Sequence, residues 1–373
     1  MTEKAPILVH GATGFTGGLV CDLLAARGLP FAISGRSASR LEALRDRIVK
    51  RGFEAPLEVC VVDLAHAATL DAAIAGRRIV LACAGPFADV GEPVVAACAR
   101  LGVHYADTTG EQRFVADVSL GYHSQCLESG ACIVPAMAFE IAPSDWVCHL
   151  AAERVGGAPD TLDVFYANSE AKGARGPSTT RGTKKSILAV MASRSPLQYV
   201  DGALVIEAAG EKTTSFALPN GRRLSAASFP SPEAIVVPKH TGARTLRTYM
   251  AMSEGAVRNL HRFRGVAPSL VRATRAISDR IVERTGAGPQ GAMRSQSTFT
   301  ILAEATKGGE RSRVAITGHD PYGLTAELQV YAAERAIAGA ITARGVVGPS
   351  VAFPPREALA ALGHTGLSLI EPA

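Results

Sequence analysis

A chain of 373 residues, 47% apolar and 20% charged, can bury two domains of ordinary size, which excludes a disordered or fibrous protein. The net charge of +5 is too mild to mark a nucleic-acid binder, and the longest apolar runs, such as Ile79 to Ala88, fall short of a membrane span. Seven scattered cysteines without a C-x-x-C pair, and nine histidines without H-x-x-x-H or H-E-x-x-H spacing, argue against a disulfide framework and a metal site.

In chain order, residues 1–150 alternate strand-like and helix-like segments. APILVHG is a continuous apolar run ending in glycine, as a buried parallel strand should be. Phe15 to Arg27 follows as a helix with Leu19, Leu23 and Leu24 on one face. PFAISG is a second strand before a charged helix over Ala38 to Lys50. LEVCVVDL precedes a short helix from Thr69 to Ala75, and RIVLACAG precedes a helix from Pro93 to Leu101. VHYADT is a fifth strand, and ACIVPAM a sixth after a helix around Tyr122 to Glu128. This rhythm predicts βαβ units and a doubly wound parallel sheet of the Rossmann type.

Beyond Val155 the pattern changes to longer, alternating strands, including VGGAPDTLDVFYAN and YVDGALVIEAAGE. Residues 295–320 read as a hairpin turning at Gly308-Gly309. Helices are expected near 180–193 and 256–285. A long amphipathic helix from Tyr322 to Ile341 is expected to return to the first domain. The division is therefore an α/β Rossmann domain over 1–150, an inserted α+β substrate domain over 151–320, and C-terminal helices over 321–373. The opening MTEKAPILVH has no apolar stretch long enough for a signal peptide before the glycines, so a cytoplasmic location is expected.

The chemistry is concentrated at VHGATGFTGG. Gly11, Gly14 and Gly17 sit at the first strand-to-helix junction. There Gly11 allows a tight turn, Gly14 a close approach to a pyrophosphate, and Gly17 close helix–strand packing. Thr13, Phe15 and Thr16 complete the loop. An NAD site would place Asp or Glu at the end of the second strand. This chain has instead Gly35, Arg36, Ser37 and Arg40, and a guanidinium there suits the 2′-phosphate of NADP(H). Asp63, closing the third strand, is placed to bond the adenine edge or to cap the next helix. Ala84, Gly85, Pro86 and Phe87, closing the fourth, are expected over the nicotinamide ribose.

The segments GATGFTG, Gly35-Arg36, AGPFADVGEPVVAACARLGVHYADTTGE and GACIVPAMAFEIAPSD together resemble the saccharopine-dehydrogenase-like oxidoreductases, most of all their trans-acting enoyl reductase branch. The resemblance covers residues 5–150 and continues faintly through DPYGLTAELQVYAAERA. It implies a Rossmann domain, a reduced nicotinamide cofactor and reduction of a double bond on a polyketide-derived or lipid-like chain. The chain departs from that branch at Ala138-Phe139-Glu140-Ile141, where the branch has a Gly-Phe-Asp-Ser-type stretch, and in a shorter middle domain.

None of the seven tyrosines has a lysine four residues on, so a Tyr-x-x-x-Lys proton relay is absent. The candidate proton donors are Tyr105, Glu111, Glu140 and Tyr166, against ordinary alternatives of packing for Tyr105 and helix capping for Glu111 and Glu140. Residues 175–186, RGPSTTRGTKKS, suit a substrate phosphate or carboxylate, or a plain entry loop. Arg258 to Arg294 holds eight arginines against Asp279 and Glu283, a solvated face or a docking surface for an acidic carrier, a phosphate-bearing substrate or a membrane. Three readings follow: an NADPH-dependent enoyl reductase acting on a small or carrier-bound acyl substrate; an imine reductase using Arg175, Arg181 or Arg244; and a non-catalytic NADP(H) sensor. A homodimer is left open.

Overall fold

A computed structural model describes residues 4–55, 57–169, 179–193, 195–284, 288–289 and 291–371. These fall into two compact units, one of residues up to 109, 113–139 and 322–353, the other of 110–112, 140–321 and 354 onward.

The first unit runs through β1 (Ile7–His10), α1 (Phe15–Ala26), β2 (Phe31–Gly35), α2 (Ala38–Lys50), β3 (Glu58–Val61) and α3 (Ala67–Ile74). It continues with β4 (Ile79–Ala82), α4 (Phe87–Val90), α5 (Glu92–Leu101), β5 (His104–Asp107), α6 (Gln112–Ser129) and β6 (Cys132–Val134). Every residue of β1 and β4 is buried, which is why these strands read as unbroken apolar runs: helices cover both faces of a parallel sheet. On α1 the buried stripe is Gly17, Val20, Cys21 and Leu24. Of Leu19, Leu23 and Leu24, read as one face, only Leu24 is buried, because Gly17 must lie against the loop before the helix and this sets its rotation.

The second unit contains α7 (Ile141–Arg154), β7 (Thr161–Ser169), α8 (Arg181–Ala192), β8 (Leu197–Val200), β9 (Ala203–Ile206), β10 (Thr213–Ala217), β11 (Arg223–Ser228) and α9 (Glu233–Thr241). After these come β12 (Thr245–Met252), α10 (Glu254–Phe263), α11 (Ala267–Ala273), α12 (Arg275–Glu283), α13 (Ala292–Ser295), β13 (Thr298–Lys307) and β14 (Glu310–His319). Next, α14 (Pro321–Ile337), β15 (Gly345–Val346) and α15 (Pro349–Ala352) lie in the first unit, whereas α16 (Pro355–Ala361) and β16 (Ser368–Ile370) lie in the second.

The first sheet has seven strands in the order β3-β2-β1-β4-β5-β6-β15, all parallel. The chain is thus an α/β protein with a Rossmann-type sheet. Two-residue β15 carries too little pattern to be seen in sequence; it pairs with β6 through Gly345 and Val346. The helix α14 is tied into this unit by buried Gln329, whose amide donates to the carbonyls of Asp107 at 3.0 Å and Met137 at 2.7 Å. Arg27 adds ion pairs to Glu334 at 2.8 Å and to Glu327.

The second sheet has nine strands and is mixed: β7 pairs in parallel with β12 and antiparallel with β13. Phe165 stacks on Phe216 and Tyr249 at 4.5 and 5.2 Å, and Ala226, Leu302 and Ala315 complete that core. The β13–β14 hairpin turns at Gly308-Gly309, whose φ values of 56° and 91° are those of a type I′ turn. The helix expected over 256–285 is three helices: Gly265 follows α10, Pro268 lies in the first turn of α11, and Thr274 separates α11 from α12. The expected boundaries at 150 and 320 split α7 and leave 354–373 with the first unit. The contact pattern instead places all of α7, α16 and β16 in the second, where α7 packs on β13 and β14 and α16 on α7.

Candidate cofactor site

The parallel β1–β2 register sets His10 opposite Ser34. The His10 ring lies 3.0 Å from the Ser34 hydroxyl, and burial pulls its pKa down to about 4, so the imidazole is neutral. The Ser34 carbonyl accepts the N–H groups of Gly11 at 2.9 Å and Ala12 at 3.3 Å, anchoring the start of the loop to the neighbouring strand. This support was not anticipated from sequence; its only signal is that VHG and ISG end adjacent strands.

Two of the three glycines are required by the protein itself. Gly11 has φ of 77°, and a Cβ there would lie 2.7 Å from the Ala84 nitrogen and Cβ. A Cβ on Gly17 would lie 2.4 Å from the Gly11 carbonyl oxygen. Gly14 differs: its φ of −75° is ordinary and the nearest atom to a Cβ would be 3.2 Å away. Gly14 is exposed and precedes α1, whose N-terminus has no side-chain cap. An exposed glycine beside uncapped N–H groups is a cradle that an anionic pyrophosphate fits.

Around this loop the structure brings together Gly11 with Ala84, and Thr13 with Arg40, whose guanidinium donates to the Thr13 carbonyl at 3.0 Å. Phe15 meets the edge of Tyr322 at 5.4 Å, and Thr16 is half-buried in the first turn of α1. Arg36 and Ser37 follow Gly35 at the carboxyl end of β2, with Arg36 exposed. Ser37 sits at the N-cap of α2 but makes no capping bond there; its hydroxyl lies 3.3 Å from that of Ser39. Gly85 is exposed and Pro86 half-buried. Phe87 turns inward and packs on Phe114 at 5.6 Å, so its ring faces the core and not the ribose expected there. Asp63 is exposed and already engaged, accepting from the Ala65 N–H at 3.0 Å and lying 2.8 Å from the His66 ring. Those bonds hold its carboxyl below the usual range and shape the turn before α3, without capping the helix itself.

A model of the saccharopine dehydrogenase NADP binding domain matches residues 7–134, which enclose this loop, the sheet ends and Arg36. Over residues 7–134 the chain is similar to that NADP binding domain. The cofactor of this NADP-binding domain is NADP(H), and the donor set fits it: N–H groups for the pyrophosphate and guanidinium groups for a 2′-phosphate. The chain is 40% identical over 145 residues to a trans-acting enoyl reductase of Mycobacterium ulcerans, covering 38% of this chain and 34% of the relative. A putative trans-acting enoyl reductase of Mycobacterium tuberculosis is 35% identical over 193 residues, 51% of this chain and 45% of the relative. The chain thus spans less than half the length of those relatives that it matches. In fold, it is similar to the saccharopine dehydrogenase (L-Glu forming) of Saccharomyces cerevisiae, with a TM-score of 0.63, 12% identity and coverage of 98% and 99% of the two chains.

Outside the glycine loop, the expected proton donors separate. Tyr105 is fully buried in the middle of the parallel sheet, in register with Val80 and Ile133, and burial together with the Asp107 charge pushes its pKa far up. It is a core residue, since a phenol with no exposed surface has no route to a substrate. Glu111 is buried and accepts from Ser186 at 3.3 Å. The Tyr166 hydroxyl donates to the backbone carbonyl of Glu140 at 3.4 Å, which brings those two residues together. The Glu140 carboxyl is pushed up by burial and, although at the N-cap of α7, makes no capping bond.

The arginines of the imine reading do not converge. Arg244 is an exposed partner of Asp201 at 3.2 Å, Arg181 reaches the Glu283 carbonyl at 3.5 Å, and Arg175 lies outside the described residues. Within the 175–186 stretch, Thr180 caps α8 by accepting from the Thr183 N–H at 3.0 Å.

Sequence reasoning missed a buried polar group behind Glu140. Glu233 is fully buried in the first turn of α9 and accepts from Ser144 at 2.6 Å and from Ser231. Burial, with the nearby Glu140 and Asp145 charges, raises its pKa to about 8 despite the Ser144 bond. Beside it, the His240 ring lies 2.6 Å from the buried Asp145 carboxylate; burial opposes its charge, but Asp145 outweighs this and raises its pKa. Unfolded Glu233 would lose its proton near 4.5 and the folded residue near 8. Between these values the folded state holds the extra proton, so stability falls as pH rises, by about 1.4 kcal/mol per unit from this group. Urea denaturation of Glu233→Gln from pH 5 to 8 is expected to show a shallower decline than the parent, and equal slopes would assign the ionisation to another group.

Proposed function

We propose that this chain is an NADPH-dependent reductase of a C=C bond conjugated to an acyl carbonyl, the acyl group being presented as a small or carrier-bound thioester. The observation that carries this reading is the loop in which Gly11 and Gly17 are fixed by packing while Gly14 is left open at the uncapped end of α1, with Arg36 and Arg40 beyond β2. The names of the mycobacterial relatives support the enoyl substrate.

NADPH, when bound, supplies a hydride to the β-carbon of such a substrate. The first N–H groups of α1 hold the pyrophosphate, joined by the Thr13 and Thr16 side of the loop, and the α1 dipole favours the anion. Arg36 takes the 2′-phosphate, while Arg40 braces the loop through the Thr13 carbonyl. Ala84, Gly85 and Pro86 offer backbone at the carboxyl end of β4, where the ligands of such sheets lie. Reduction is completed by a proton at the α-carbon. Among Glu111, Glu140 and Tyr166, we assign this proton to Glu140, whose raised pKa keeps the acid protonated beyond the usual carboxyl range. The seven free thiols suit the reducing conditions of the cytoplasm, and no helix among the described residues is long and apolar enough to cross a membrane.

The test is NADPH oxidation against enoyl thioesters of several chain lengths on one side and 2-oxo acids mixed with amines on the other. Turnover of enoyl thioesters alone is expected. Oxidation only with the oxo-acid and amine mixtures would convert the assignment to imine reduction, and tight NADPH binding without oxidation of any substrate would favour a sensor.

A further inference from the structure

The arginine-rich stretch after β12 folds as α10, α11 and α12, and it places large apolar side chains outward. Phe263, Val266, Leu270, Ile277 and Ile281 are each between 51% and 65% exposed. Along α12 and its C-cap, Ile277, Arg280, Ile281 and Arg284 follow an i, i+3, i+4, i+7 spacing, so isoleucines and arginines alternate along one exposed stripe. Val266 and Leu270 repeat the i, i+4 spacing across α11. At the end of α10, Arg262 lies over the Phe263 ring at 5.6 Å.

Charge is distributed unevenly over these helices. Asp279 is held by Arg275 at 3.0 Å and Glu283 by Lys185 at 3.2 Å. Arg264 is likewise paired with Glu211 at 2.7 Å. By contrast, Arg258, Arg262, Arg280 and Arg284 are exposed and form no ion pair among the described residues. The exposed stripe therefore carries cationic and apolar groups together, with Asp279 and Glu283 paired and Glu254 exposed at the start of α10.

We propose that α10 to α12 form a peripheral docking face for an anionic lipid surface, lying in the plane of the headgroups. Two features favour a bilayer over a folded partner. The apolar groups protrude singly along successive helices, and a fluid interface accepts such groups without a complementary pocket. They are also interleaved with guanidinium groups that sit at headgroup level, where each basic residue adds to attraction for acidic lipids. The face is independent of the reaction assigned above.

The full chain is tested by flotation with vesicles of phosphatidylcholine alone and of phosphatidylcholine with about 30% phosphatidylglycerol. Binding to the acidic vesicles only, weakened by raising the salt, is expected. The variants R280E/R284E and I277S/I281S change only exposed positions, and unchanged melting curves verify their folding. Each is expected to reduce partitioning by about tenfold or more. No binding to acidic vesicles at low salt, or equal binding by both variants, overturns the proposal. So would a concentration-dependent dimer in light scattering that the same variants abolish, or salt-sensitive capture of an acidic acyl carrier protein by a chain that ignores vesicles; these outcomes assign the face to a second copy or to a protein partner.

Discussion

Replacing Gly11 by alanine is expected to destabilise the protein by about 2–5 kcal/mol. Left-handed backbone costs an L-residue about 1–2 kcal/mol, and an overpacked site adds about 1–3 kcal/mol. Both apply, since Gly11 has φ of 77° and its Cβ would sit 2.7 Å from the backbone nitrogen and Cβ of Ala84, which the β4 strand holds in place. A denaturant melt measures the loss. Gly14→Ala is the matched control: it needs no unusual φ, its closest neighbour would be 3.2 Å away, and a change of about 1 kcal/mol or less is expected. Its NADPH affinity should nevertheless fall by about tenfold or more, because the methyl group would occupy the approach to the α1 N-terminus. A Gly14→Ala protein that melts like the parent and binds NADPH equally well would show that the pyrophosphate lies elsewhere.

Arg36→Ala is expected to leave the melt unchanged and to separate the two nicotinamide cofactors. The side chain is exposed, so its removal leaves no cavity. A charge-assisted contact to a 2′-phosphate contributes about 1.5–3 kcal/mol, which corresponds to a roughly 10- to 100-fold rise in the Kd for NADPH. The affinity for NADH, which lacks that phosphate, should barely move. Fluorescence titration of both cofactors reads the difference directly; equal losses would remove Arg36 from the role of selector. Arg40→Ala should behave differently. Because Arg40 donates to the Thr13 carbonyl at 3.0 Å, its loss loosens the loop and should weaken both cofactors.

Much of the first unit was legible in the residues alone, for reasons that are local. Strands buried on both faces must be apolar throughout, so β1, β2 and β4 announce themselves, and glycines at spacing three between a strand and a helix have few other uses. The turn of the β13–β14 hairpin was equally plain, since two adjacent glycines accept the positive φ values that a type I′ turn demands. Arg36 stands by position where an NAD site would carry an acid, and the structure leaves it exposed there.

Other features depended on which elements meet. Tyr105 looks in sequence like any tyrosine at the end of a strand, and only its neighbours β4 and β6 bury it completely. Phe87 follows a loop that points at a ligand, yet Phe114 of α6 draws its ring into the core. The bond between His10 and Ser34, the anchoring of α14 by Gln329 and the raised pKa of Glu233 each join residues far apart in the chain. The sequence by itself determined the elements, the glycine-rich loop and the charge beyond the second strand, because backbone preference and periodicity act over a few residues. Only the tertiary structure decided which side chains are sealed in and which protons are held, because burial and electrostatic coupling belong to the space between elements and to no single segment.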